Sequence, residues 1–281
     1  MKVAIFCVPG CTVSVETMDY FSAKGQEISL VVIETAVRQK FSLAELDFRA
    51  AHEKFRESIL KPTNGQNGTN KSLKTKLWSS IPPGVRTALK RLLPRGVAGG
   101  NDIVTQAVKR LNIPVERVEK HSSHEARQIL ERYGITYVLL CSSNWLIKEP
   151  LLSMDGTKVI NAHCAKLPEH RSLDALPWSV MENDRVGLTT HFVDAGIDTG
   201  PILKFLEVEP QPGDNLISLR ERVNSRVPEL FWLSIIGLRN KTIAPRPQLE
   251  AEGVHHRPMT VEQLLQAEKL LQQRIRGAAE A

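Results

Sequence analysis

Two polar residues at the end of an apolar run give the first sign of chemistry in this chain. In VINAHCAKLPEHRSLDALPWSVMENDRVGLTTHFVDAGIDTGPIL, residues 159–203, Asn161 and His163 follow Val159 and Ile160. They stand two apart, so in an extended strand their side chains point to the same side. An amide donor and an imidazole aimed at one small ligand atom suit the stabilisation of a developing oxyanion. A third group, Asp198, lies in the loop DAGIDTGPI, where Gly196 and Gly200 are expected to give the backbone freedom that folds a carboxylate back over a site. A carboxylate beside an imidazole raises its pKa and stabilises the charged form. Taken singly the three are ordinary: an Asn at a strand end forms turns, a His is often a satisfied core residue, and an Asp often caps a loop.

Such groups need a scaffold, and the apolar pattern supplies an α/β one. Residues 2–6 form an apolar run, a turn with Pro9 and Gly10 follows, then a helical stretch at about 14–24 and a second apolar run at 28–33. A strand, helix, strand unit of this kind implies a parallel sheet. The pattern breaks at Arg38 and resumes near Asp102 with a helix to Leu111, an NIPV turn and strand, a helix at 123–133 and a strand at 137–141. Further strands are expected at 159–162, 187–193 and 201–208, then one long amphipathic helix over 216–237. In an open parallel sheet the ligand lies beyond the carboxyl ends of the strands, which is where Asn161 and His163 fall. The expectation is a Rossmann-like, open, mostly parallel sheet in a catalytic domain over 1–240. An insertion at about 38–99 interrupts it, and a short C-terminal extension over 241–281, with PRP, HHRP and a charged helix at 260–276, follows it.

Composition bounds the function. With 42% hydrophobic and 24% charged residues the chain is globular, which excludes collagen, coiled coil, wholesale disorder and a polytopic membrane protein. No apolar run approaches 18 residues and the start lacks a cleavage site, so a cytoplasmic location is expected. Four cysteines, Cys7, Cys11, Cys141 and Cys164, are too few for a disulfide framework; the Cys7/Cys11 spacing fits no common metal signature, and no metal is expected. The net charge of +6 is concentrated: residues 38–95 hold thirteen Lys or Arg against four Asp or Glu. That interval reads as an amphipathic helix at about 42–60, a polar spacer PTNGQNGTNKS, and a basic apolar segment at 77–96. The segment sets Trp78, Ile81, Val85 and Leu89 beside Arg86, Lys90, Arg91 and Arg95. This is the composition of helices that contact anionic membrane surfaces or phosphates; the other reading is a solvated helix packed on its own domain. No nucleic-acid partner is expected.

The motifs together carry a resemblance. Asn161-Ala-His163, Leu167-Pro168, Asp194-Ala-Gly-Ile-Asp198-Thr-Gly-Pro201 and PGDNLISLRERV resemble the 10-formyltetrahydrofolate-dependent formyltransferases. That group contains the glycinamide ribonucleotide, methionyl-tRNA and sugar-nucleotide enzymes. The resemblance covers roughly residues 1–37 and 100–240. It implies the formyltransferase fold, 10-formyltetrahydrofolate as cosubstrate, and transfer of its formyl group through a tetrahedral intermediate to a primary amine of a small molecule. By the resemblance Asn161 polarises the formyl oxygen, His163 stabilises the oxyanion and shuttles a proton, and Asp198 orients a water or the imidazole. The folate pocket then falls to Ser143, Asn144, Trp145, Leu146 and Ile147 before the Asn-x-His strand, and to Val193, Asp194, Gly196 and Ile197 of the Asp loop. Trp145 is expected either to stack on or wall off a pterin, or to be core.

Three departures shape the substrate. Ser172 stands where the family's loop after the histidine often has a glycine. CVPGCTVS after the first strand lacks a Gly-rich phosphate loop, which disfavours a ribose phosphate held in that manner. No room is expected for the C-terminal barrel of the transfer-RNA members. By elimination a nucleotide-linked amino sugar is the favoured acceptor. The alternatives are a hydrolase that releases formate from the same folate and a non-catalytic homologue that binds a folate or a partner. A nicotinamide dehydrogenase is disfavoured by the absence of Gly-x-Gly-x-x-Gly after the first strand. The region after Asn240 is expected to supply a homodimer contact or a hairpin.

Overall fold

The computed structural model describes residues 1–36, 43–59, 102–171 and 173–280. The basic segment 77–96, the polar spacer and Ser172 lie outside the described residues. In chain order the first half holds β1 (Val3–Cys7), α1 (Thr12–Ala23), β2 (Leu30–Glu34), α2 (Leu43–Ile59), α3 (Ile103–Arg110), β3 (Val115–Val118), α4 (His124–Tyr133) and β4 (Tyr137–Leu140). The second half holds β5 (Lys158–His163), β6 (His170–Arg171), α5 (Ala175–Met181), β7 (Gly187–Phe192), β8 (Ile202–Glu207), α6 (Leu216–Asn224), α7 (Val227–Arg239), β9 (Val254–His255) and α8 (Val261–Glu280).

Every residue of β1 and β2 is buried, as a parallel strand covered on both faces requires. Their side chains alternate between two cores. Val3, Ile5, Cys7, Val31, Ile33, Leu139 and Ile160 enter one, with α1, α3 and α7 packed over it. Ala4, Phe6, Leu30, Val32, Val138 and Val159 enter the other, closed by Ala126, Ile129 and Leu130 of α4. The strand order is β3-β2-β1-β4-β5-β7-β8. β3 to β5 in that order run parallel, while β7 runs antiparallel to β5 and β8 antiparallel to β7. The chain leaves β1 for β2 on one side and returns as β4 on the other, so a crevice opens beyond the carboxyl ends of β1 and β4.

The single helix expected over 216–237 is two. α6 ends at Asn224 and α7 begins at Val227, because Pro228 lacks an N–H and fits only the first turn of a helix. α6 has its own start signal: Asn215 Oδ1 accepts from the Ile217 and Ser218 amides while Ser218 Oγ accepts from the Asn215 amide.

The ends of the chain's irregular regions join the main core. Ala51 and Phe55 of α2, and Met259, Leu264, Ala267, Leu271 and Ile275 at the C-terminus, belong to the first cluster. α8 lies against α5, α2 and α6. β9 adds parallel to β6, with His170 opposite Val254 and Arg171 opposite His255. Among the described residues no helix is long and apolar enough to cross a membrane.

Candidate active site

Asn161 and His163 occupy the carboxyl end of β5 on one face of the strand. Antiparallel pairing with β7 sets Asn161 opposite His191. The His191 ring donates from Nδ1 to the Phe192 carbonyl at 2.8 Å, which leaves Nε2 as an acceptor. Asn161 Nδ2 donates to that nitrogen at 3.2 Å, and this fixes the amide with one N–H still available. His163 donates from Nε2 to the His170 carbonyl at 2.7 Å, so its Nδ1 is the nitrogen free to take a proton.

The Asp198 carboxylate lies between the two imidazoles. Oδ2 is 3.4 Å from His163 Nδ1 and Oδ1 is 3.5 Å from His191 Nε2. Burial lowers the His163 pKa below the ordinary histidine value, against the opposing pull of Asp198, which favours the neutral ring. The structure thus brings Asn161, His163 and Asp198 together.

The glycines of the loop act differently from the expectation. The left-handed backbone falls on Asp198 itself, at φ 57°, and not on Gly196 or Gly200. What the glycines supply is room: a Cβ on Gly200 would stand 1.9 Å from the Phe192 carbonyl oxygen, and one on Gly196 would stand 2.1 Å from Thr199 Oγ1. Asp194 secures the turn, accepting from the Gly196 amide at 3.1 Å and from Thr199 Oγ1 at 2.7 Å. Gln248, far along the chain, donates from Nε2 to the carbonyls of Asp198 and Gly200 at 3.0 and 2.6 Å. Its own oxygen accepts from Arg171 at 3.1 Å.

A cavity of about 410 Å³ opens in front of Asn161 and Asp198. Ser143, Trp145, Leu146, Ile147, Val193, Gly196 and Ile197 line it, together with Val13, Cys164, His191, Asn224 and Val227. Asn144 and Asp194 do not line it. The Asn144 side chain turns away to donate to the Ala36 carbonyl at 3.0 Å, and Asp194 is engaged in its turn. Trp145 is not core: it is half-buried on the cavity wall, with Lys120 Nζ 5.2 Å from its ring centre. Leu146 and Ile197 are 59% and 44% exposed, apolar surface left open at the rim.

The segment before β5 is held from beneath. Glu34, buried at the end of β2, accepts from the amides of His121 at 3.0 Å and Asn144 at 2.6 Å, and from Ser143 Oγ at 3.2 Å. The His121 ring stacks on Phe6 at 4.2 Å and donates to the Val32 carbonyl at 3.2 Å. Burial pushes the His121 pKa down, against the charge of Glu34. Cys164, on the cavity wall, has its thiol pKa raised by burial and donates to Asn224 Oδ1 at 3.0 Å.

Sequence reasoning missed His191, Gln248 and Glu34. His191 carried a signal, since it stands two residues before Val193 on a strand already expected. Gln248 carried none, because only the fold brings residue 248 beside residue 198.

The arrangement offers a directed amide N–H and, behind it, a buried imidazole whose Nδ1 faces the carboxylate that lines the cavity. Known proteins match the chain in sequence and in fold. The sequence profile of the family described as Formyl transferase matches residues 82–235. Methionyl-tRNA formyltransferase of Solibacter usitatus is 27% identical over 151 residues, covering 53% of this chain and 49% of its own length. That of Koribacter versatilis is 29% identical over 160 residues, covering 56% and 51%. The chain spans about half the length of the curated relatives it matches. In fold it is similar to phosphoribosylglycinamide formyltransferase from Bacillus halodurans, with TM-score 0.53 and 20% identity over 86% of this chain and 97% of that one. A sugar N-formyltransferase from a Shewanella species gives TM-score 0.50 and 13% identity over 91% and 76%. Because the profile match takes in more than half of the chain, including Asn161, His163 and Asp198, the chain belongs to the formyl transferase family.

Proposed function

We propose that this protein transfers a formyl group from 10-formyltetrahydrofolate to a primary amine of a small molecule. The observation that carries the reading is the convergence of Asn161, His163 and Asp198 at the mouth of the β5 strand beside an apolar-walled cavity. The residues fit the folate. The cavity volume lies within the range of ligand clefts, and Trp145, Leu146 and Ile197 offer apolar faces to a flat ring.

The bound folate supplies an activated formyl carbon, and the residues of the chain do the rest. Asn161 aims its second N–H at the formyl oxygen and stabilises the negative charge that grows there as the amine nitrogen adds to the carbon. His163, held neutral by burial, takes at Nδ1 the proton that the amine nitrogen sheds. Asp198, 3.4 Å away, stabilises the imidazolium so formed. Return of that proton to the departing folate nitrogen leaves an N-formyl amide and tetrahydrofolate, with no net proton taken up or released.

A nucleotide-linked amino sugar is the acceptor we favour. At the turn after β1, Asp102 Oδ1 already accepts the Gly10 amide at 2.6 Å. A carboxylate in that position repels a phosphate and takes the donor it would use. This supports an acceptor whose phosphates are held elsewhere.

The test is tetrahydrofolate release from 10-formyltetrahydrofolate, measured without amine and with a panel of amino-sugar nucleotides and other primary amines, using Asn161→Ala and His163→Ala as controls. Release that requires an amine and disappears in both variants is the expected result. Release indifferent to amines would replace the transferase with a hydrolase, and binding without release would leave a non-catalytic folate protein.

A further inference from the structure

The HHRP sequence of the C-terminal region has no part in the reaction above, yet the fold carries one of its histidines to a specific partner. β9 pairs with β6, and this sets His256 against His170, 86 positions away in the chain. His256 Nε2 and His170 Nδ1 face each other at 3.1 Å. The Glu182 carboxylate, just past the end of α5, reaches both: Oε2 is 3.9 Å from His170 Nδ1 and Oε1 is 3.9 Å from His256 Nε2. The three ligand atoms lie within 4.8 Å of one another.

We propose that His170, His256 and Glu182 form a binding site for a divalent transition metal of the zinc class, separate from the formyl-transfer residues. Two nitrogens each about 2.0–2.1 Å from a tetrahedral zinc ion stand about 3.3 Å apart, close to the spacing here. Both histidines are buried, at 1% and 7% exposure, while Glu182 is half exposed at a helix end and free to close by the small distance that remains. A set of two imidazoles and one carboxylate leaves a fourth position for water.

The surroundings orient the ligands as metal sites require. His170 Nε2 faces Asp184 Oδ2 at 3.2 Å, so the ring donates there and keeps its lone pair on Nδ1, toward His256. A carboxylate behind a ligating histidine is the usual second support of a metal site. The His256 ring lies flat on Trp178, with centres 4.6 Å apart, and Trp178 Nε1 is itself fixed to the Arg257 carbonyl at 3.0 Å. The same His170 presents its carbonyl to His163 Nε2 at 2.7 Å, so an ion bound here would hold in place the β6 carbonyl that sets the His163 tautomer.

The competing arrangement is a plain hydrogen bond from His256 Nε2–H to His170 Nδ1, and metal titration separates the two. The full-length protein, stripped with a chelator and dialysed, is titrated with Zn²⁺ against a chromophoric competitor. Co²⁺ is used in parallel to read ligand geometry from its visible absorption. One equivalent per chain, a tetrahedral Co²⁺ spectrum and a rise in Tm with Zn²⁺ are expected. All three should be lost in His256→Ala and in Glu182→Gln, the second being an exposed site where folding is not at risk. Asp184→Asn should weaken Zn²⁺ binding by about 10- to 100-fold while keeping the stoichiometry. Wild-type protein that binds no Zn²⁺, or binds it as tightly as His256→Ala and Glu182→Gln do, overturns the site.

Discussion

Asn161 has two amide hydrogens, and His191 takes one of them. Because Phe192 accepts from His191 Nδ1, the imidazole presents only a lone pair to Asn161, and the side-chain oxygen cannot occupy that position without facing it. On the proposed function the free N–H is thereby aimed before any substrate arrives, as an oxyanion donor worth about 10²- to 10³-fold in turnover must be. His191→Phe should remove that aim and lower kcat by up to about tenfold, the equivalent of one neutral hydrogen bond, with little change in the KM for folate. In an Asn161→Ala background, where the amide is already gone, the same change should have almost no further effect on kcat. Equal losses in both backgrounds would mean that His191 acts on its own account and not through Asn161.

At the scale of elements, the Asp loop is a connection between β7 and β8 tied down at several points. Asp194 closes its turn, Gln248 holds two of its carbonyls, and Gly200 lets the backbone pass against Phe192. Gly200→Ala would force a Cβ to within 1.9 Å of a carbonyl oxygen, so the loop must move and carry Asp198 with it. A displacement near 1 Å at a reacting group costs about 10²-fold, so kcat should fall by at least that order, and because the clash is with backbone the melting transition should fall as well, by the about 1–3 kcal/mol that overpacking costs. Parallel steady-state assays and thermal melts check this, and an unchanged kcat would show that the loop yields elsewhere. The break between α6 and α7 belongs to this scale too: Asn224 and Val227 both line the cavity, and the two helix ends meet there because Pro228 starts a new helix.

For the molecule as a whole, the C-terminal region is part of what holds the site. Leu264, Ala267 and Leu271 of α8 are wholly buried in the main core, while Gln248 reaches the Asp loop and His256 reaches β6. Leu271→Ala should therefore cost about 2–5 kcal/mol, as truncation of a buried leucine does. Urea unfolding followed by far-UV circular dichroism measures it, and a loss under about 0.5 kcal/mol, the scale of a surface change, would contradict the packing described here. α2 is docked in the same way, through Phe55 in the core and a 2.6 Å contact from His52 Nε2 to Asp174.

The sequence alone determined the faces and the local chemistry. The period of two set Asn161 and His163 on one side of β5, the apolar runs marked buried parallel strands, and the motif DAGIDTGPI located the third group, because all of these depend on residues a few positions apart. Tertiary structure decided the pairings between distant segments. The register of β5 against β7 chose His191 as the partner of Asn161, and the chain's return at residues 248–256 brought Gln248 to the Asp loop and His256 to His170. It also moved the left-handed conformation from the glycines to Asp198 and divided one expected helix into two. Periodicity carries no information about which strand lies beside which, or how closely two backbones pass. Those are settled by the packing of the whole core, and here they complete the site.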